Sequence, residues 1–128
     1  MVNSNTSKIQ FSNKKKEFDI YKRIFNFVVN VLNFIKILPK TVQNLTFINQ
    51  ITRSVTSMGA NAQEGDGSST RKEFFHSFIV KKETKETNYW LQLMHATNPG
   101  FQAKMIPLIN EGKEIEAIIS AIVQKSKQ

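Results

Sequence analysis

Residues 53–76 read RSVTSMGANAQEGDGSSTRKEFFH, and how this stretch is read decides the fold. Apolar residues recur at helical spacing up to Gln63, the pattern breaks at Glu64-Gly65-Asp66-Gly67-Ser68, and a new segment opens at Thr70. A glycine-rich loop ahead of a helix start has the ingredients of an anion site. Here the spacing of a nucleotide cradle is missing, nothing before the loop reads as a strand, and Glu64 and Asp66 would repel a phosphate. The loop therefore reads as the hairpin between two helices. Gly65 is expected to close the first in the left-handed conformation. Thr70 and Glu73 are expected to open the second as a capping box.

Working outward, Thr41 is a suitable N-cap for the helix before the loop. Leu45, Ile48, Ile51, Val55, Met58 and Ala62 hold its i, i+3, i+4 rhythm. Ser54, Ser57, Gly59 and Ala60 would let a neighbouring helix come close, since a glycine inside a helix costs about 1 kcal/mol against alanine unless packing needs it. After the loop, a helix over roughly 70–96 would take Phe74, Phe75, Phe78, Ile79, Tyr89, Trp90, Leu93 and Met94 as its apolar set. Asn98-Pro99-Gly100 marks a turn. Pro107 suits the first turn of a last helix that buries Ile115, Ile118, Ile119, Ile122 and Val123.

The most apolar segment is FDIYKRIFNFVVNVLNFIKILPK, residues 18–40. Asn26, Asn30 and Asn33 form a polar stripe and Lys22, Arg23 and Lys36 interrupt it, which argues for a helix in a protein rather than in a membrane. Proline disfavours helix in the residue before it, so Pro39 ends the segment. Ile20, Ile24, Phe27, Val28, Val31, Ile35 and Leu38 make one apolar stripe, enough for an intramolecular core. Phe18, Tyr21, Phe25, Val29 and Leu32 make a second, and an exposed apolar patch of that size marks a protein interface. The expectation is an all-α, antiparallel up-down four-helix bundle over residues 17–128 that assembles into a homo-oligomer.

The chain has 128 residues and no cysteine, which excludes disulfides, thiolate zinc sites and cysteine nucleophiles and fits a reducing, cytoplasmic setting. Eighteen basic residues against ten acidic ones give a formal charge of +8, which suits an anionic partner or a surface kept basic for solubility. Part of the excess lies in MVNSNTSKIQFSNKKK, residues 1–16, read as a flexible basic arm rather than a secretory signal. Glu73 and His76 have the spacing of half a di-iron motif, but His95 has Gln92 three residues before it, so the second half is absent. No catalytic, cofactor or metal constellation emerges, and the expectation is a binding protein, not an enzyme.

KKETKETN, residues 81–88, carries no apolar side chain in mid-helix. A bundle helix needs an inward position every three or four residues, so part of this run faces a neighbour. In a hairpin centred near residue 67, Arg53 lies beside Lys82 and Glu83. An Arg53–Glu83 pair, with Glu86 as the alternative acceptor, would make a buried polar layer that fixes helix register. Lys14, Lys15, Lys16, Lys22, Arg23, Arg71, Lys72, Lys81 and Lys85 are the candidates for a nucleic-acid face, with Arg71 and Lys72 at a helix start that also favours phosphate.

The segments running from Gln50 to Glu64, from Ser69 to Phe74 and from Lys82 to Leu91 resemble the four-helix-bundle family of ribosomal RNA intervening-sequence proteins. That family includes the accessory variability determinant proteins of diversity-generating retroelements, and the resemblance spans roughly residues 18–124. It implies a ring-like pentamer with a basic surface which, in the retroelement branch, engages a reverse transcriptase and its template RNA. The family motif falls on Arg53, Ser57, Asn61, Glu64, Phe74, Lys82, Glu83, Glu86 and Trp90. Gly65-Asp66-Gly67 departs from family versions with an extra basic residue in this loop. The functional expectation is an oligomeric accessory protein that binds nucleic acid, RNA above all. The alternative is a protein-interaction scaffold.

Overall fold

The structure, a computed structural model, describes residues 19–126, so the arm, Lys14 to Lys16 and Phe18 lie outside the described residues. It holds four α-helices: α1 (Ile20–Ile35), α2 (Val42–Gly65), α3 (Thr70–Thr97) and α4 (Gln102–Ser126), with a short 3₁₀ turn at Pro99–Phe101. No strand occurs among the described residues. Asp19 caps α1 by accepting from the Tyr21 and Lys22 amides at 3.1 and 3.2 Å. Thr41 caps α2, as expected, by accepting from the Asn44 amide at 3.1 Å.

The hairpin loop differs in detail from its reading. Gly65 is the last helical residue, and Gly67, with φ of 75°, takes the left-handed position. Gly65 is instead small because the Cβ of His76 would sit 3.0 Å from any Cβ added there. Ser69, one residue earlier than expected, caps α3. Glu73, freed from a capping box, accepts the Tyr21 hydroxyl at 2.5 Å. The last helix starts at Gln102, which puts Pro107 in its second turn on an exposed side.

α1 packs on α2 and α4, α3 packs on the same two, and the backbones of α1 and α3 do not meet. The helices thus close a ring with α1 and α3 on the diagonal. Ile24, Phe27, Val31, Ile51, Met58, Leu91, Met94, Met105, Ile115 and Ile119 fill the centre. The first apolar stripe of α1 is buried apart from Val28, which is half-buried and lies where Gly59 lets α1 approach: a Cβ on Gly59 would meet its side chain at 3.1 Å. Leu45, expected in the α2 stripe, is 45% exposed.

α3 departs most from the sequence reading. Its buried residues are Ser77, Val80, Thr84, Thr87, Asn88, Leu91 and Met94, followed by Asn98, and all but Asn88 alternate three and four apart as in a helix–helix seam. Phe75, Phe78 and Tyr89, assigned to the core from their apolarity, are 57, 52 and 54% exposed. The seam tolerates polar residues because most of them find a partner, although Asn88 Oδ1 is buried without one. Ser54 and Thr87 share a hydrogen bond of 2.7 Å between α2 and α3. Asn44 and Asn98 exchange amide bonds at 2.8 and 2.9 Å. Asn88 donates to the Gly112 carbonyl at 3.0 Å and to Glu116 at 2.9 Å.

Candidate nucleic-acid interface

The polar residues between α2 and α3 form a ladder along one edge of the bundle. Arg53 donates to Glu86 and lies 3.5 Å from Glu83, so both proposed acceptors are engaged. Ser57 donates to the other Glu83 oxygen at 3.1 Å. Asn61 donates to the Ser57 carbonyl at 3.0 Å and shares a 2.9 Å hydrogen bond with His76 Nδ1. Trp90 Nε1 donates to Glu86 at 3.3 Å. The hydrogen bond from Arg53, aided by that of Trp90, holds the Glu86 carboxyl below the ordinary carboxylate range against the opposing effect of burial. The Glu86 hydrogen bond raises the Arg53 guanidinium in turn. The expected buried layer is in fact a surface seam, since the Arg53 side chain is 51% exposed. Lys82 is exposed and forms no hydrogen bond or ion pair with the ladder, although its charge helps to lower the Glu86 carboxyl.

The outward face of α3 runs Arg71, Phe75, Phe78, Lys82, Lys85, Tyr89, again three and four apart, all exposed and without an acidic member. Lys81 flanks it, and Phe78, Lys81, Lys82 and Lys85 line an open depression of about 320 Å³. None of these cations takes part in an ion pair among the described residues. Lys72 stands exposed at the same end as Arg71. Four of the expected nucleic-acid residues (Arg71, Lys72, Lys81 and Lys85) are thus brought together, and Lys82 is added to them. The sequence signal for this face was the interleaving of Phe75, Phe78 and Tyr89 with lysines at seam spacing, hidden by treating large aromatics as core.

Two other expectations do not join this face. Lys22 is exposed, but on α1, diagonal to α3. Arg23 is removed as a phosphate contact, because its guanidinium is already bound. It donates to Glu111 at 3.0 and 2.8 Å, pairs with Glu114, and has a side chain only 20% exposed. The Glu111 hydrogen bond above all raises the guanidinium further above its ordinary value.

The second stripe of α1 divides. Phe25 and Val29 are 68% and 38% exposed, while Leu32 is half-buried against the core. Tyr21 is half-buried, with its hydroxyl on Glu73, and burial followed by that carboxylate pushes the phenol well above its ordinary value. Beside Phe25 and Val29, two apolar depressions of about 340 and 650 Å³ follow the α1–α2 seam, the first floored by Gly59 and Ala60.

No helix among the described residues is long and apolar enough to cross a membrane. The sequence matches the 23S rRNA-intervening sequence protein family over residues 16–121. Among solved structures, it resembles a protein of unknown function from the S23 ribosomal protein family of Bacteroides thetaiotaomicron. The two share 28% identity and a TM-score of 0.71, over 82% of this chain and 95% of that one. No curated protein matches it.

Proposed function

The chain belongs to the 23S rRNA-intervening sequence protein family, and from that premise we propose that it is a non-enzymatic accessory protein that binds RNA through the outer face of α3. The observation that carries this reading is the row of unpaired cations at Arg71, Lys72, Lys81, Lys82 and Lys85 on a face without a carboxylate. Two other cations are matched, Arg23 by Glu111 and Glu114 and Arg53 by Glu83 and Glu86. An unmatched basic row attracts phosphate and releases its counterions, giving affinity that is shape-led and steeply salt-dependent. The polar side chains of the interior serve helix contacts, which favours binding over catalysis.

The contacts between α2 and α3 run in opposed chain order, 61 with 76, 57 with 83, 54 with 87 and 44 with 98. That order supports an antiparallel up-down bundle. The exposed Phe25 and Val29 beside an apolar seam support self-association on the α1–α2 side, opposite the basic face. A homo-oligomer, pentameric by resemblance, would then turn several α3 faces outward and multiply phosphate contacts. The resemblance to retroelement accessory proteins makes a reverse transcriptase the protein partner to test first, in a cytoplasmic setting.

Titration of a structured RNA into the full chain at 50 and 200 mM salt tests the reading. Binding that weakens by a factor of ten or more across that range is expected. No binding at the lower salt would leave the second reading, a protein scaffold built on the α1–α2 seam.

A further inference from the structure

We infer that the outer face of α3 is a stacking platform that selects unpaired nucleotides over duplex, a specificity that rests on the nucleic-acid reading above and sharpens it. Phosphate attraction needs only the lysines. It gives no reason for three aromatic rings, each more than half exposed, to occupy the same stripe. Phe75 and Phe78 stand together and Lys82 and Lys85 separate them from Tyr89, so rings and cations share the exposed side of one helix. That combination of π-faces for bases and ammonium groups for the backbone is what a sequence-tolerant single-strand site requires.

The two outer rings are also held in place. Phe75 meets the edge of the His76 ring with centroids 5.2 Å apart, and His76 is fixed by Asn61. Tyr89 meets Trp90 in the same way at 5.2 Å, and Trp90 is fixed by Glu86. The α2–α3 ladder thus braces both rings, which lowers the ordering cost when a base stacks on them. From residue 75 to 89 the helix rises about 21 Å at 1.5 Å per residue. At the ~3.4 Å per nucleotide of a stacked strand, that length takes about six nucleotides. A duplex keeps its base faces inside the stack and would present only backbone to the rings.

Two copies of the chain meeting symmetrically through this stripe would bring Lys82 and Lys85 of one against those of the other, which disfavours a self-contact. Stacking and phosphate attraction do not depend on a 2′-hydroxyl, so single-stranded RNA and DNA are expected to bind alike.

The experiment measures anisotropy of labelled 12-nucleotide oligouridylate, oligothymidylate and a 12-base-pair RNA duplex with the full chain. Phe78→Leu and Tyr89→Leu are compared with it, circular dichroism serving as the folding check; leucine keeps apolar bulk but has no π-face. The account expects both single strands to bind at least tenfold tighter than the duplex. It expects each leucine variant to lose roughly tenfold in single-strand affinity with the salt dependence unchanged. Lys82→Gln with Lys85→Gln should weaken all three probes and reduce the salt dependence. Equal affinity for duplex and single strand, indifferent to the leucine changes but lost with the lysines, would overturn stacking and leave the basic-face reading standing. Absence of binding to every probe at low salt would overturn both. A change of oligomeric mass in Phe78→Leu without loss of affinity would assign the stripe to self-contact and overturn the inference.

Discussion

Gly112→Ala tests the packing that positions α3. A Cβ at Gly112 would lie 2.1 Å from Asn88 Oδ1 and 3.2 Å from Phe27 Cζ, both held in the centre of the bundle. Asn88 cannot yield cheaply, because its amide nitrogen donates to the Gly112 carbonyl and to Glu116 and the residue is only 6% exposed. Overpacking of this kind costs about 1–3 kcal/mol. Displacing the amide from two partners costs about 1–3 kcal/mol more. Alanine returns about 1 kcal/mol in helix propensity, and the net loss is about 3 kcal/mol. For a chain of this length that lowers Tm by roughly 10–15 °C. Urea denaturation of Gly112→Ala, Asn88→Ala and the double variant gives the assay. The clash vanishes with the amide, so the double variant should lose less than the sum of the two single losses, by more than 1 kcal/mol. Strict additivity, or a Gly112→Ala protein as stable as its parent, would refute the reasoning. Gly100→Ala is the control, since nothing lies within 4 Å of a Cβ there.

Three further outcomes follow from the same geometry. Arg23→Ala should lower stability by about 1–2 kcal/mol in urea titration, because Glu111 loses a two-pronged partner, yet leave RNA affinity unchanged; an affinity loss would return Arg23 to the interface. Glu86 has a folded pKa below its unfolded value, so its pairing contributes fully above about pH 4.3 and is lost as pH falls through the lower folded value; Glu86→Gln should be less stable than the parent at pH 7 and approach it at pH 3, as followed by urea midpoints. Phe25→Asp with Val29→Asp should reduce the mass seen by light scattering to that of one chain while leaving the helical spectrum intact, and an unchanged mass would remove the α1–α2 seam as an assembly surface.

Where apolar residues and burial coincide, the sequence was enough. Ile20, Ile24, Phe27, Val31 and Ile35 of α1, Leu38 just after it, and Ile51, Val55, Met58 and Ala62 of α2 are all buried. The pairing of Arg53 with Glu83 and Glu86 was legible too, because a hairpin sets which residues can meet. The observed partners centre near residue 70 rather than 67, which is why Glu86 takes the closer contact. α3 was legible from apolarity only in part: Met94 is buried and Phe74 and Trp90 pack against the core, as expected, but Phe75, Phe78 and Tyr89 do not. Its inward face includes Ser77, Thr84, Thr87 and Asn88, the last three of which hydrogen-bond within α3 or to other helices, and its outward face carries aromatics. Hydropathy alone misplaces these aromatics and hydroxyls. Cap positions slipped by one or two residues, Ser69 for Thr70 and Gly67 for Gly65, because neighbouring residues of similar chemistry compete for them. Arg23 was misplaced because its partners lie 88 and 91 positions away, beyond any local pattern.

The most direct measurement of the central claim is the salt dependence of RNA affinity for the parent, for Lys82→Gln with Lys85→Gln, and for Lys22→Gln. If α3 is the nucleic-acid face, the double variant loses affinity and its log–log slope falls by about 1.4, two phosphate contacts at about 0.7 each, while Lys22→Gln matches the parent. Parallel slopes for all three proteins, or a larger loss from Lys22→Gln, would contradict it.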